Sequence, residues 1–259
     1  MAEIVRTTTD GPRFTVTLNR PEVHNALNAE LIDALARVFR DVAGRHDVRY
    51  VVIASEGPSF CAGGDLTVMR DMIDRPHADN LRVAGALPAL LEAMITCPKP
   101  IIARVHGATF AGGMGLVAAC DLAVAHPKAV FGLTEVRLGI VPAMIFPYLL
   151  RRVARHELLW ATLTGDRFPA ARALAMGLVN EVTGDLDGVI HRWAESVLAG
   201  GPNALAGAKE LFFRVPQMSW DAARALTVEL IVRNCISPEG QEGMLAFLEK
   251  RRPIWPTAG

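Results

Sequence analysis

The chain has 259 residues, 51% of them hydrophobic and 21% charged, with 27 basic side chains against 27 acidic ones. That composition excludes a disordered chain, and the even charge balance removes the usual reason to expect nucleic acid or a membrane surface as partner. Cys61, Cys97, Cys120 and Cys235 show no C-x-x-C spacing, which argues against a zinc knuckle or a disulfide framework and fits free thiols in a reducing compartment.

The first residues lack an apolar signal region and no apolar run reaches membrane-spanning length, so the expectation is a soluble, cytoplasmic protein. Residues 14–19 (F-T-V-T-L-N) alternate like a half-buried strand, which Arg20-Pro21 stops. Asn28 is placed to cap a helix carrying Leu31, Leu35, Val38 and Val42 at helical spacing. Residues 50–55 (Y-V-V-I-A-S) form a continuous apolar run, the mark of a strand covered on both faces.

Residues 56–65 (E-G-P-S-F-C-A-G-G-D) read as a loop whose last residue, Asp65, caps the next helix. Residues 71–84 are polar and contain Pro76, so they read as a mobile loop and helix start. Residues 87–95 are helical, and 101–105 (I-I-A-R-V) form another buried strand. A glycine-dense turn follows, then an apolar helix, then a strand leading to Glu135. Past Pro142 the pattern gives helices to Leu163, a turn at residues 164–169, an Ala-rich helix and a last strand at 178–182.

After Gly184 only helices appear, at residues 190–198, 204–213, 220–233 and 239–250. Strands and helices alternate early and helices stand alone late, so the expectation is an α/β core over residues 1–195 with a helical region over 196–259. The terminal helices carry Leu226, Leu230, Ile231, Met244, Phe247 and Leu248. More apolar surface sits there than a thin appendage can hide, which points to subunit contact.

Residues 113–118 (G-M-G-L-V-A) match the G-x-G-x-x-A dinucleotide fingerprint, and Glu135 supplies a downstream acid. Against that, a loop separates the fingerprint from its strand, and His126-Pro127 interrupts the chain before the acid. The alternative is that the loops Ala62-Gly63-Gly64 and Ala111-Gly112-Gly113, each between an apolar strand and a helix, give one N–H apiece to an oxyanion hole. A carboxylate among apolar neighbours, as Glu135 is, makes a candidate acid or base. G-x-S-x-G, P-loop and H-E-x-x-H motifs are absent, and His106 and Cys61 lack a sequence partner for nucleophilic chemistry.

Several of these motifs occur together in one order. They are residues 18–21 (L-N-R-P) with 25–27 (N-A-L), 59–66 (S-F-C-A-G-G-D-L), His106-Gly107 with 111–113 (A-G-G), Cys120-Asp121, 135–142 (E-V-R-L-G-I-V-P) and 247–251 (F-L-E-K-R). In this the chain resembles the crotonase (enoyl-CoA hydratase/isomerase) superfamily over nearly its whole length.

The resemblance implies a spiral of ββα units, a helical C-terminal trimerisation region and an acyl-CoA thioester as substrate. Coenzyme A would enter as part of that substrate, with no separate cofactor and no metal. It implies that the N–H groups of Ala62 and Gly112 hold the thioester oxygen and that Glu135 is the general acid/base. The backbone of Ala62, Gly63, Gly64, Asp65 and Leu66 would lie along the CoA moiety. Phe247 and Lys250, from a neighbouring subunit of a homotrimer or a dimer of trimers, would meet its nucleotide.

One position departs from the two-glutamate members of that superfamily. They carry a second glutamate where this chain has Gly115, one helical turn after Gly112 and on the same face. A single base suffices to shift a double bond, as in Δ3,Δ2-enoyl-CoA isomerases. However, residues 111–121, 135–143 and 239–255 are similar to a hydratase branch acting on branched glutaconyl-type CoA esters, which also has glycine there. The expectation is therefore a 2-enoyl-CoA hydratase, with isomerase and inactive acyl-CoA binder as alternatives. The space left at Gly115 is expected to admit a branched acyl group or an extra water.

Overall fold

The computed structural model describes residues 3–255. β1 (Val5–Asp10) and β2 (Arg13–Leu18) form an antiparallel hairpin, and α1 (Ala29–Ala43) follows with Asn28 as its cap, accepting a hydrogen bond from Leu31 N at 2.9 Å. Then come β3 (Tyr50–Ser55), β4 (Ser59–Cys61), α2 (Leu66–Asp74) and α3 (His77–Thr96). The same strand, short strand and helix recur as β5 (Ile101–Val105), β6 (Ala108–Phe110) and α4 (Gly112–Ala119). The third round is β7 (Leu122–Ala125) and β8 (Val130–Gly132), a 3₁₀ turn at Glu135–Leu138, and α5 (Phe146–Arg152).

Each round sends its longer strand to one sheet and its shorter strand to another. After α5 come α6 (Arg155–Thr164), β9 (Arg167–Pro169), α7 (Ala170–Ala175) and β10 (Glu181–Val182). The larger sheet has the order β1-β2-β3-β5-β7-β10, parallel from β2 onward. The smaller is β4-β6-β8-β9. This repetition is the ββα spiral that the motif pattern implied.

The continuous apolar run of β3 is explained by burial on both faces. Val51 and Ile53 face the main core with Leu31, Leu35 and Phe39 of α1, while Tyr50 and Val52 face α8 (Leu186–Ala199) through Val189 and Ile190. Full burial of each such side chain stabilises the fold by about 1.5–3 kcal/mol. Because α8 is unbroken and closes the back of the larger sheet, the expected boundary after residue 195 falls inside a core helix. The helices beyond it are α9 (Pro202–Arg214), α10 (Trp220–Ile236) and α11 (Pro238–Leu248).

Three other expectations change. Residues 71–84 are helical, the end of α2 and the start of α3, because Pro76 occupies the N-cap position of α3, where its missing N–H costs nothing. The loops at 56–65 and 164–169 contain β4 and β9, strands of three residues and too short to show an alternation. β1 was not foreseen either: it is an edge strand with only Val5 buried, so it shows no apolar face in sequence.

Candidate active site

The first wall of the site is the chain after β4, and segment 24–27 holds it in place. Ala62 N donates to His24 O at 3.0 Å, Leu27 N to Gly63 O at 2.7 Å and Asp65 N to Leu27 O at 3.0 Å. Along an extended chain successive N–H groups point to opposite sides, so with its flanking groups bonded to Leu27, Gly64 turns its own N–H away from that segment. Gly64 lines a cavity there, and its N–H has no hydrogen-bond partner among the described residues.

Buried polar groups fix segment 24–27 itself. Asn25 has no exposed surface; its side chain accepts from Arg20 N at 2.8 Å and donates to Glu56 O and Ser59 O, each at 2.9 Å. Arg20 Nη2 pairs with Asp65 Oδ2 at 3.2 Å and Nη1 donates to Ala26 O at 2.5 Å. Asp65 also caps α2, accepting from Thr67 N at 3.1 Å and Thr67 Oγ1 at 2.7 Å. The Thr67 hydroxyl, more than Arg20, holds its carboxyl below the ordinary value.

The second wall is the turn from β6 into α4. Ala111 adopts φ 47° and ψ −117°, outside the regions L-residues favour, a strain of order 1–3 kcal/mol. It persists because Ala111 N donates to Gly132 O at 3.0 Å, and the Ala111 methyl is packed against Gly63. Gly63 has φ +99°, and a Cβ there would sit 2.8 Å from that methyl, so only glycine fits. Gly112 opens α4 and lines the cavity, with its N–H also without a partner among the described residues. First-turn amides carry the positive end of the helix dipole.

The third element is Glu135, which begins the 3₁₀ turn after β8 and faces the same cavity. It is only 8% exposed, and Oε2 is buried without a hydrogen-bond partner among the described residues. Burial pushes its carboxyl above the ordinary value. The cavity measures about 330 Å³, with Leu27, Val83, Leu87, Val141 and Ile145 among its apolar walls. Residues 71–84 contribute Met72, Val83 and Ala84 to these walls, and the segment after Val141 contributes Pro142, Met144 and Ile145.

Gly64, Asp65, Gly112 and Glu135 are thus brought together, with Gly63 behind them and Leu66 at the first position of α2. Ala62 is corrected: its N–H, expected to face a ligand, is already donated to His24 O, and the free amide of that loop belongs to Gly64. Gly115 is corrected too. It lies outside the cavity lining, beneath Ile145, so no space is left there for acyl group or water. Phe247 and Lys250 are exposed and do not line the cavity within one chain.

Cys61 is fully buried with its thiol pushed up to about 12 by desolvation, and His106 Nε2 is 2.8 Å from Gly57 O; neither lines the cavity. A second cavity, about 450 Å³, lies between Cys120-Asp121 and α9. In it Lys209 pairs with Asp121 at 2.7 Å, and Arg152 donates to Cys120 O at 2.6 Å. Asp121 therefore joins α9 to the core.

A model of the enoyl-CoA hydratase/isomerase family matches residues 14–258. The chain belongs to that family. The crystal structure of an enoyl-CoA hydratase from Shewanella pealeana superimposes with a TM-score of 0.94 at 32% identity, covering 98% of this chain and 96% of the other. One from Mycobacterium smegmatis gives 0.92 at 35% identity, over 98% and 99%. A peroxisomal Delta(3,5)-Delta(2,4)-dienoyl-CoA isomerase of Arabidopsis thaliana is 28% identical over 97% of this chain and 95% of its own.

The crotonase fold also disposes of the dinucleotide alternative. β6 of the smaller sheet stands between β5 and the glycine turn, and Glu135 follows a strand of that smaller sheet rather than ending one in the parallel sheet. Sequence reasoning gave no part in the site to Leu27, Asn25, Arg20 or Ile145. The first three lie in the L-N-R-P and N-A-L motifs, whose recurrence with the glycine loops was the available signal.

Proposed function

We propose that the protein adds water across the double bond of a 2-enoyl-CoA thioester in acyl-CoA breakdown. The observation that carries this reading is the unpartnered, buried Glu135 carboxylate facing a cavity whose wall also presents the two free amides of Gly64 and Gly112. Addition next to a thioester moves negative charge onto the carbonyl oxygen. Two fixed amides at that oxygen stabilise the enolate, one such donor being worth about 3 kcal/mol.

In the forward step Glu135 Oε2 accepts a proton from water as the water oxygen bonds to the β-carbon and the π electrons move to the thioester oxygen. The protonated Glu135 then returns the proton to the α-carbon as the enolate collapses. Its raised pKa suits both halves of that exchange. Coenzyme A arrives as part of the substrate, and the apolar walls suit a hydrocarbon or branched acyl chain. We also propose assembly as a homotrimer or a dimer of trimers, in which Phe247 and Lys250 reach a neighbour's CoA nucleotide.

One observation favours a second reading. Ile145 fills the place of a second acid, and a shift of a double bond from the 3 to the 2 position needs only Glu135. The test is enoyl-thioester absorbance with crotonyl-CoA, 3-methylglutaconyl-CoA and a 3-enoyl-CoA offered in turn. Loss of the conjugated band shows hydration, its appearance from the 3-enoyl ester shows isomerisation, and no change with any ester indicates a binder.

A further inference from the structure

Leu27 packs against both stretches that carry the free amides. Its backbone makes the two hydrogen bonds that flank Gly64, Leu27 N to Gly63 O at 2.7 Å and Asp65 N to Leu27 O at 3.0 Å, and this pairing aims the Gly64 N–H at the cavity. Its side chain lies on Gly112: a Cβ on Gly112 would be 2.6 Å from Leu27 Cδ1 and 3.6 Å from Leu87 Cδ2. Leu27 is 4% exposed, and its own position is fixed by the buried Asn25 and Arg20 contacts on either side of Ala26. One residue therefore sets the Gly64 loop through its main chain and the start of α4 through its side chain.

We infer that Leu27 is the positioning residue of the active site, holding the Gly64 and Gly112 amides at the separation that a single thioester oxygen needs. The inference rests on the reading of those amides as oxyanion donors. The Leu27 Cδ1 methyl can lie on Gly112 because that residue has no side chain, so Leu27 and Gly112 are a matched pair. Spacing between donors matters steeply, since a misplacement of about 1 Å can cost around 10²-fold in rate.

The test is Leu27→Ala, which leaves the backbone pairing and removes the contact on Gly112. The probe is 4-(dimethylamino)cinnamoyl-CoA, whose absorbance moves to the red when its thioester carbonyl is polarised. The variant should shrink that red shift and lower kcat for the preferred enoyl-CoA by about 10–100-fold, while KM changes much less. Leu27→Met should restore both readings. Gly112→Ala should be impaired by the crowding against Leu27, and the combination with Leu27→Ala should be faster than Gly112→Ala alone.

Leu31→Ala, a core truncation on α1 away from the cavity lining, controls for stability. It should lower the thermal midpoint and leave the red shift of the folded protein intact. An undiminished shift and kcat in Leu27→Ala would overturn the inference, as would a Leu31→Ala variant that loses the shift equally. If the wild type itself leaves the band unmoved, the reading of the two amides fails; a shift that survives Leu27→Ala sinks the positioning role alone.

Discussion

Ile145 stands where a side chain on Gly115 would go: a Cβ there would lie 3.0 Å from Ile145 Cβ and closer still to its Cγ2 methyl. Ile145 is 2% exposed and Gly115 is buried, so neither can yield toward solvent. Gly115→Glu alone should then overpack the site by about 1–3 kcal/mol and bury an unpaired carboxylate besides. Paired with Ile145→Ala, the glutamate gains room at the cavity wall. Thermal unfolding should show the single variant well below wild type and the double variant partly recovered, with crotonyl-CoA hydration rising only in the double. A single variant as stable as wild type would mean that Ile145 does not guard that position.

Glu135 ties activity to stability. Its carboxyl lies above the ordinary 4.5 because burial penalises the charged form, so the folded state binds that proton more tightly than the unfolded state does. Its contribution is present below pH 4.5 and is lost as pH rises through the raised value. Glu135→Gln should therefore gain stability relative to wild type in urea unfolding at pH 8 and lose that advantage at pH 4. The same variant should lose about 10²–10⁴-fold in turnover, and the acid limb of the wild-type kcat/KM profile should fall above the range of a free glutamate. A limb at or below pH 4.5 would exclude Glu135 as the base.

Asp65 has the opposite sign. Held below 3.8 first by the Thr67 hydroxyl and then by the Thr67 amide and Arg20, it adds stability above that pH, which is lost as pH falls through its lowered value. Asp65→Ala should cost about 0.5–2 kcal/mol for the α2 cap, with more from leaving Arg20, only 14% exposed, without its carboxylate. Urea midpoints at pH 7 against pH 3 measure it: the gap between wild type and variant should narrow in acid. An equal gap at both values would mean that the carboxylate's charge plays no part.

Which features were legible follows from their physics. β3 and β5, covered on both faces, and α1, with its Asn28 cap, announce themselves by periodicity and capping chemistry. Glu135 was legible as an acid among apolar neighbours, and its burial follows from them. The smaller sheet was not legible because its strands have only three residues and owe their pairing to the repeat rather than to local propensity. The donor at Gly64 rather than Ala62 was hidden for a related reason: which amide of a glycine loop is free depends on the register with segment 24–27, a contact across more than thirty residues. Ile145 was invisible because only the tertiary fold brings it onto Gly115.

Assembly is open to a direct test. On α10 and α11 Ile231, Ile236, Phe247 and Leu248 are each at least 60% exposed in the isolated chain, an apolar load that points to subunit contact. Lys250 stands just past α11 at φ 55°, in the left-handed region, with its backbone N–H bonded to Phe247 O at 3.2 Å. Neither Phe247 nor Lys250 lines the chain's own cavity. Light scattering should give the mass of three or six chains for wild type. Ile236→Glu should shift it toward one chain and, on the proposal that a neighbour's Phe247 and Lys250 meet the CoA nucleotide, raise KM for the CoA ester, while Glu135 keeps its pH limb. A wild type that scatters as a monomer at micromolar concentration, with full affinity for the ester, would show that a single chain completes its own CoA site.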